Sequence, residues 1–205
     1  ELIKRYATKK EKLELIPKMD NLIDVFNGYY FGGDPEGDPK TWTGFIKNEP
    51  LLINKDFFQQ LTNQGFVWGF VSGAESPSAK FVLEKRLHLK NPPLIAMGDA
   101  PDKPDPTGFL RLANQLAGTS LGEAIAPIAY LGDTVADVLT IKNARKVIPR
   151  QNFLSFGVSP PHLHKANQKS MRKIYEDQLI KAGADKIISS TKELINESFD
   201  FFSID

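Results

Sequence analysis

From residue 51 onward, compact apolar runs alternate with helical patterns five times, and that rhythm narrows the fold more than any other feature of the chain. Phe66 to Val71, Leu94 to Met97, Ile128 to Leu131, Asn152 to Val158 and Lys186 to Ile188 read as strands. Between them, helices are expected after Ser76-Pro77, over Thr107 to Leu116, over Thr134 to Ala144 and over Asn167 to Ala182. A further helix, capped by Asn54 and ending near Gly65, precedes the first strand. Strands separated by helices run parallel and are covered on both faces. Fold class is therefore α/β, a doubly wound parallel sheet. Residues 1–50 have another texture, a helical stripe of Leu13, Ile16, Ile23 and Phe26 broken by Pro17, then the turn-rich run Gly32 to Pro39. Two domains are expected, 1–50 and 51–205.

In open parallel sheets, ligands bind beyond the carboxyl ends of the strands. Three such ends carry chemistry. Ser72 and Gly73 follow the first strand; a hydroxyl and backbone N–H groups on a glycine turn can meet a phosphoryl oxygen, or Ser72 can simply shape the turn. After the second strand, Lys103 precedes Pro104-Asp105-Pro106, and the prolines stiffen the loop that presents the ammonium. A fixed ammonium suits a phosphoryl group or a cluster of carboxylates, although most loop lysines are merely solvated. After the third strand comes Gly132-Asp133-Thr134-Val135-Ala136-Asp137. Asp133 and Asp137 lie one helical turn apart and could share one magnesium ion, or Asp133 could cap the helix with Asp137 in its first turn.

These three elements, in this order, resemble the second, third and fourth motifs of the haloacid dehalogenase superfamily. Lys103-Pro104-Asp105-Pro106 and Gly132-Asp133-Thr134-Val135-Ala136-Asp137 are particularly similar to its phosphoglycolate-phosphatase-type members, which carry a helical cap. The resemblance runs from about residue 51 to the end, and Ala182-Gly183-Ala184-Asp185-Lys186-Ile187-Ile188 is similar to the family's last strand. It implies a Rossmann-like core with 1–50 as part of a cap. It also implies Ser72, Gly73 and Lys103 on the phosphoryl group, Asp133 on Mg2+, and Asp137 as second ligand or orienting residue.

The same family begins with a strand ending in Asp-x-Asp, whose first aspartate attacks phosphorus. Nothing strand-like precedes Asp34 and Asp38, and Asp20 and Asp24 fall in a helical pattern, so none of them fits. By resemblance the missing strand lies between those ending at Ser72 and Gly132. Without it, facing rows of backbone N–H and C=O groups would go unpaired at about 1–3 kcal/mol for each buried group, against a folding margin of about 5–15 kcal/mol. The expectation is that an N-terminal segment supplies it, in keeping with Glu1 where a methionine would stand; if the chain is complete, it is inactive.

Composition bounds the partners. Lys plus Arg is 26 and Asp plus Glu 25, scattered, which favours no nucleic acid. No apolar run reaches the roughly 20 residues of a membrane span. The absence of cysteine excludes disulfides and thiolate sites and fits a cytoplasmic protein. The expected activity is a magnesium-dependent phosphatase acting on a small phosphorylated metabolite. Alternatives are a non-catalytic binding or regulatory protein of the same fold, or a phosphonatase or phosphomutase. A phosphonatase would need a cap lysine, for which Lys4, Lys9, Lys10, Lys12, Lys18, Lys40 and Lys47 are all candidates. His162 and His164, in the loop after the fourth strand, could touch the substrate beyond its phosphate, or belong to an exposed polar loop. The aromatic residues Tyr29, Tyr30, Phe31, Trp42 and Phe45 are expected to pack the cap.

Overall fold

The computed structural model describes residues 19–123 and 126–195, so the expected stripe residues Leu13 and Ile16, with Pro17, lie outside the described residues. The chain divides into two compact units, 1–50 and 51–205.

In the first unit, helix α1 (Met19–Tyr30) leads into turns and two short 3-10 segments, Pro39–Thr41 and Phe45–Lys47. Aromatic rings hold it together. Phe31 and Trp42 pack at 4.8 Å, Phe26 stacks on Tyr30 at 5.1 Å, and Tyr29 stacks on Phe45 at 5.8 Å. Trp42 and Ile46 are fully buried, and the Trp42 indole N–H donates to the Asp34 carbonyl at 2.8 Å. The Asp34 and Asp38 side chains accept from the backbone N–H of Glu36 and Lys40, so both shape turns. Phe26 and Ile23 sit on α1 but stay half exposed.

The second unit runs α2 (Lys55–Asn63), β1 (Phe70–Glu75), α3 (Ser76–Lys80), β2 (Leu94–Met97), α4 (Thr107–Ala117), β3 (Ile128–Gly132), α5 (Val135–Val147), β4 (Phe153–Val158), α6 (Lys169–Ala182) and β5 (Lys186–Ile188). Local chemistry sets the helix ends. Asn54 Oδ1 accepts from Phe57 N–H at the start of α2, and Gly118 and Gly183 adopt left-handed conformations at the ends of α4 and α6. α3 continues into a π-helical turn, Phe81–Arg86.

All strand pairs are parallel, as the alternation of strand and helix requires. The sheet is nevertheless in two pieces. One has the order β1-β2, the other β3-β4-β5, and β1 and β3 do not pair. The interruption falls between the two strands that the resemblance places on either side of a missing central strand. A shared core spans both pieces: Phe109, Ile141, Ala144 and Phe153 are buried, with Val71 of β1 and Tyr130 of β3 packed against them. A second cluster, Phe57, Phe58, Leu61, Leu83, Leu87 and Leu89, lies with Phe70 and Leu94 on the two-stranded piece. Each such buried large side chain contributes about 1.5–3 kcal/mol.

Two expected boundaries move. The apolar run Phe66 to Val71 is not one strand; β1 starts at Phe70 and extends through Ser72 and Gly73. Phe66 and Trp68 instead turn into the α2 cluster, since their rings find apolar partners there. α6 starts at Lys169 rather than Asn167, because Pro161–His164 and Ala166–Gln168 form 3-10 turns first.

Candidate active site

Ser72 and Gly73 stand in the middle of β1, where the strand's register against β2 breaks between Val71 and Glu75. The hydroxyl oxygen of Ser72 accepts from Ala74 N–H at 3.0 Å, which leaves its own proton free to be donated. Together with Lys103, Asp102 and Asp105, Ser72 and Gly73 line one shallow depression. Lys103 enters it on a loop held at several points. Asp99 Oδ2 accepts from Ala96 N–H, Asp105 Oδ1 accepts from Thr107 N–H, and Asn143 of α5 donates to the Pro104 carbonyl at 3.1 Å. The Asp105 carboxyl lies below its usual range because Thr107 donates to it.

Lys103 and Asp137 meet across the two sheet pieces. The ammonium lies 2.6 Å from Asp137 Oδ1, and Asp137 is 4% exposed. Three further donors converge on that carboxylate. Tyr130 O–H reaches Oδ1 at 3.1 Å; Thr134 N–H and O–H reach Oδ2 at 3.0 and 2.6 Å. Burial alone would raise the Asp137 carboxyl, but Lys103 and Thr134 outweigh it and hold it below the ordinary carboxylate range. The Tyr130 phenol is pushed far above its ordinary value, first by burial and then by Asp137, so it stays protonated and donates.

Of the two readings left open for Asp133, the helix cap is not the one observed. Thr134, not Asp133, caps α5, and Asp137 returns a bond to the Thr134 N–H, completing a capping box. The spacing Thr-x-x-Asp carries that signal and could have been read from the chain. Gly132 is required here: a Cβ on it would lie 2.2 Å from Asp137 Cβ, so only glycine lets the carboxylate fold back against the strand end.

Asp133 is exposed, and its carboxylate enters no hydrogen bond or ion pair among the described residues. It does not line the depression that holds Ser72 and Lys103. The expectation that Asp133 and Asp137 share a cation therefore meets an asymmetry. The four donors on Asp137 use the lone-pair capacity of a carboxylate, whereas Asp133 keeps all of its own. No group of three or more metal-binding side chains occurs among the described residues. One free carboxylate at a strand end still suits magnesium, which takes one or two carboxylates and fills its sphere with water and phosphate oxygens.

His162 and His164 part company as well. His164 is tied down, its Nε2 at 3.1 Å from the Ser159 carbonyl and its Nδ1 at 3.3 Å from Arg172. Glu176 accepts from Ser159 and Arg172, and despite burial these donors lower its carboxyl. His162 is exposed on the same turn. Sequence reasoning missed Tyr130 and Tyr175; the Tyr175 O–H donates to the Asp133 carbonyl from α6. A tyrosine in a strand or helix gives no local sign of which distant group its hydroxyl meets.

A family model for the haloacid dehalogenase-like hydrolases matches residues 52–145. That stretch contains Ser72, Gly73, Lys103, Asp133 and Asp137. The crystal structure of a "putative haloacid dehalogenase-like hydrolase from Bacteroides fragilis" superimposes with a TM-score of 0.50 at 18% identity, over 94% of this chain and 87% of that one, and shows the fold to be shared. No curated protein matches. No helix among the described residues is long and apolar enough to cross a membrane. Residues 52–145 are thus similar to the haloacid dehalogenase-like hydrolases, and the parallel α/β core around them has the fold of that solved neighbour.

Proposed function

We propose that this protein is a phosphatase of small phosphate monoesters, of the helical-cap type, that works with magnesium. The observation that carries the reading is the Lys103–Asp137 contact of 2.6 Å across the two sheet pieces, beside a strand-end Asp133 whose carboxylate is free. In this reading an aspartate on a strand seated between β1 and β3 attacks phosphorus, and the alcohol leaves. Water then hydrolyses the aspartyl phosphate, restoring the carboxylate and releasing inorganic phosphate. Lys103 offsets negative charge on the phosphoryl oxygens and on the attacking carboxylate, while Ser72 O–H and the Gly73 backbone donate to the phosphoryl group. Of the two roles the resemblance allows Asp137, this reading takes the orienting one, on Lys103 and Thr134, rather than that of second cation ligand. Asp133 would hold the magnesium, which when bound supplies further positive charge at the transferring phosphoryl group. The lack of cysteine supports placing the protein in the cytoplasm. Residues 1–50 would belong to the cap that selects the metabolite.

The full-length protein, assayed on a panel of phosphate monoesters, should lose activity when magnesium is chelated. Asp133→Asn should cost on the order of a hundredfold or more in kcat. Full turnover in chelator would reject the scheme. A non-catalytic protein of this fold remains the second reading, favoured by the interruption between β1 and β3. An intact mass of 22.9 kDa for the native protein, with no turnover on any ester, would decide for it.

A further inference from the structure

We propose that Tyr175 is a positioning residue of the site, acting through the Asp133–Thr134 peptide on Asp137 and thereby on Lys103. The inference begins with one peptide unit gripped at both ends. Its carbonyl, that of Asp133, accepts from the Tyr175 hydroxyl on α6. Its N–H, that of Thr134, donates to Asp137 Oδ2 at 3.0 Å. A peptide unit is planar and rigid, so two bonds at opposite ends fix its tilt. The tilt sets the torsions on either side, and with them the direction of the Asp133 side chain and the seat of the Asp137 carboxylate. The other oxygen of that carboxylate holds Lys103 at 2.6 Å and Tyr130 at 3.1 Å. A continuous line of contacts therefore runs from α6 through one backbone amide to the lysine of the depression.

Tyr175 lies on α6, outside the stretch 52–145 that matches the family model. The same face of α6 braces the neighbouring loop, where Arg172 and Glu176 engage His164 and Ser159. The competing role is packing alone, since Tyr175 lies against Val138, Leu179 and Ala184. The two roles separate at the hydroxyl. Tyr175→Phe keeps the ring and removes only the bond to the carbonyl.

The experiment is residue-resolved amide hydrogen exchange by NMR on the full chain and its Tyr175→Phe variant, with thermal unfolding in parallel. Exchange at Thr134 N–H should rise about fivefold or more, the loss expected for one neutral hydrogen bond. Exchange at Val138 and Ile141, deeper in α5, should stay within a factor of about two. Acylation of Lys103 by an amine reagent, measured against the other lysines, should change by about twofold or more, because its counter-ion has loosened. Unchanged exchange at Thr134, or an equal rise along all of α5, would overturn the proposal. The consequence for turnover rests on the phosphatase reading, but the exchange measurement does not. Loosened Thr134 in a protein without phosphatase activity would sink that reading and leave the positioning role standing. A magnesium-dependent phosphatase with Thr134 protection unchanged in the variant would sink the positioning role alone.

Discussion

The two sheet pieces make a useful contrast. β3, β4 and β5 pair in regular parallel register, Ile128 against Phe153 through Gly132 against Gly157, and four residues of β4 are buried. β1 and β2 pair over a shorter stretch with a register break, and the outer half of β1, Gly73 to Glu75, is exposed. The regular piece carries the acid, Asp133; the irregular piece carries Ser72 and Gly73. A regular ladder holds a charge at a defined strand end. An irregular strand end frees backbone N–H groups that a ladder would otherwise consume, and those are the donors an anion needs. What joins the pieces is the pair of partly buried Lys103 and buried Asp137, with the ring cluster around Phe109.

Removing the join should have the largest effect. Asp137→Ala strands a partly buried ammonium and deletes half of a capping box, at about 3–5 kcal/mol in chemical denaturation plus about 1 kcal/mol for the cap. A loss below 1 kcal/mol would mean the two pieces do not depend on that pair. Phe109→Ala opens a cavity beneath both pieces and should cost about 3–5 kcal/mol. Its ring packs at 5.4 Å on both Tyr130 and Phe153, and a cost under 1 kcal/mol would show that the shared core does not stabilise the fold.

Matched glycine substitutions sharpen the contrast. Gly132→Ala drives a Cβ into Asp137 and should destabilise by about 1–3 kcal/mol. At Gly73 a Cβ meets nothing within 4 Å, so Gly73→Ala should stay within about 0.5 kcal/mol. Equal effects at the two positions would remove the distinction between a packed and an open strand end.

The smallest effect expected is on pH dependence. The Asp137 carboxyl is lowered in the folded state, so its contribution is complete above the unfolded value of about 4 and is lost as pH falls through the folded value. Glu176, also lowered, contributes in the same direction. The melting temperature of the parent should therefore fall below about pH 4, and Asp137→Asn should flatten part of that fall while lowering stability at neutral pH. Parallel curves for the two proteins would show that Asp137 does not carry the acid sensitivity.

Much of this molecule was legible in the chain because its signals are local. Apolar runs placed β2, β3, β4 and β5 to within a residue or so, and Asn54 and Gly183 mark helix ends through their own backbone and side-chain chemistry. The strand-end motifs were legible for the same reason, since Gly132, Asp133 and Asp137 are neighbours in sequence. The Phe66 to Val71 run misled, because apolarity says that a residue is buried but not against what. Phe66 and Trp68 went to a helix, and only Phe70 and Val71 to the sheet.

What the tertiary structure alone decided is which groups meet at long range. Lys103 and Asp137 are 34 residues apart, and Tyr175 and Asp133 are 42 apart. No periodicity or propensity encodes such a pair; it exists only once strands and helices have packed. For the same reason the chain could nominate two aspartates for one cation, while the folded protein gave one of them four hydrogen-bond donors and left the other free. Composition and local order fix which residues stand at the strand ends; the division of labour among them follows from donors that other elements bring.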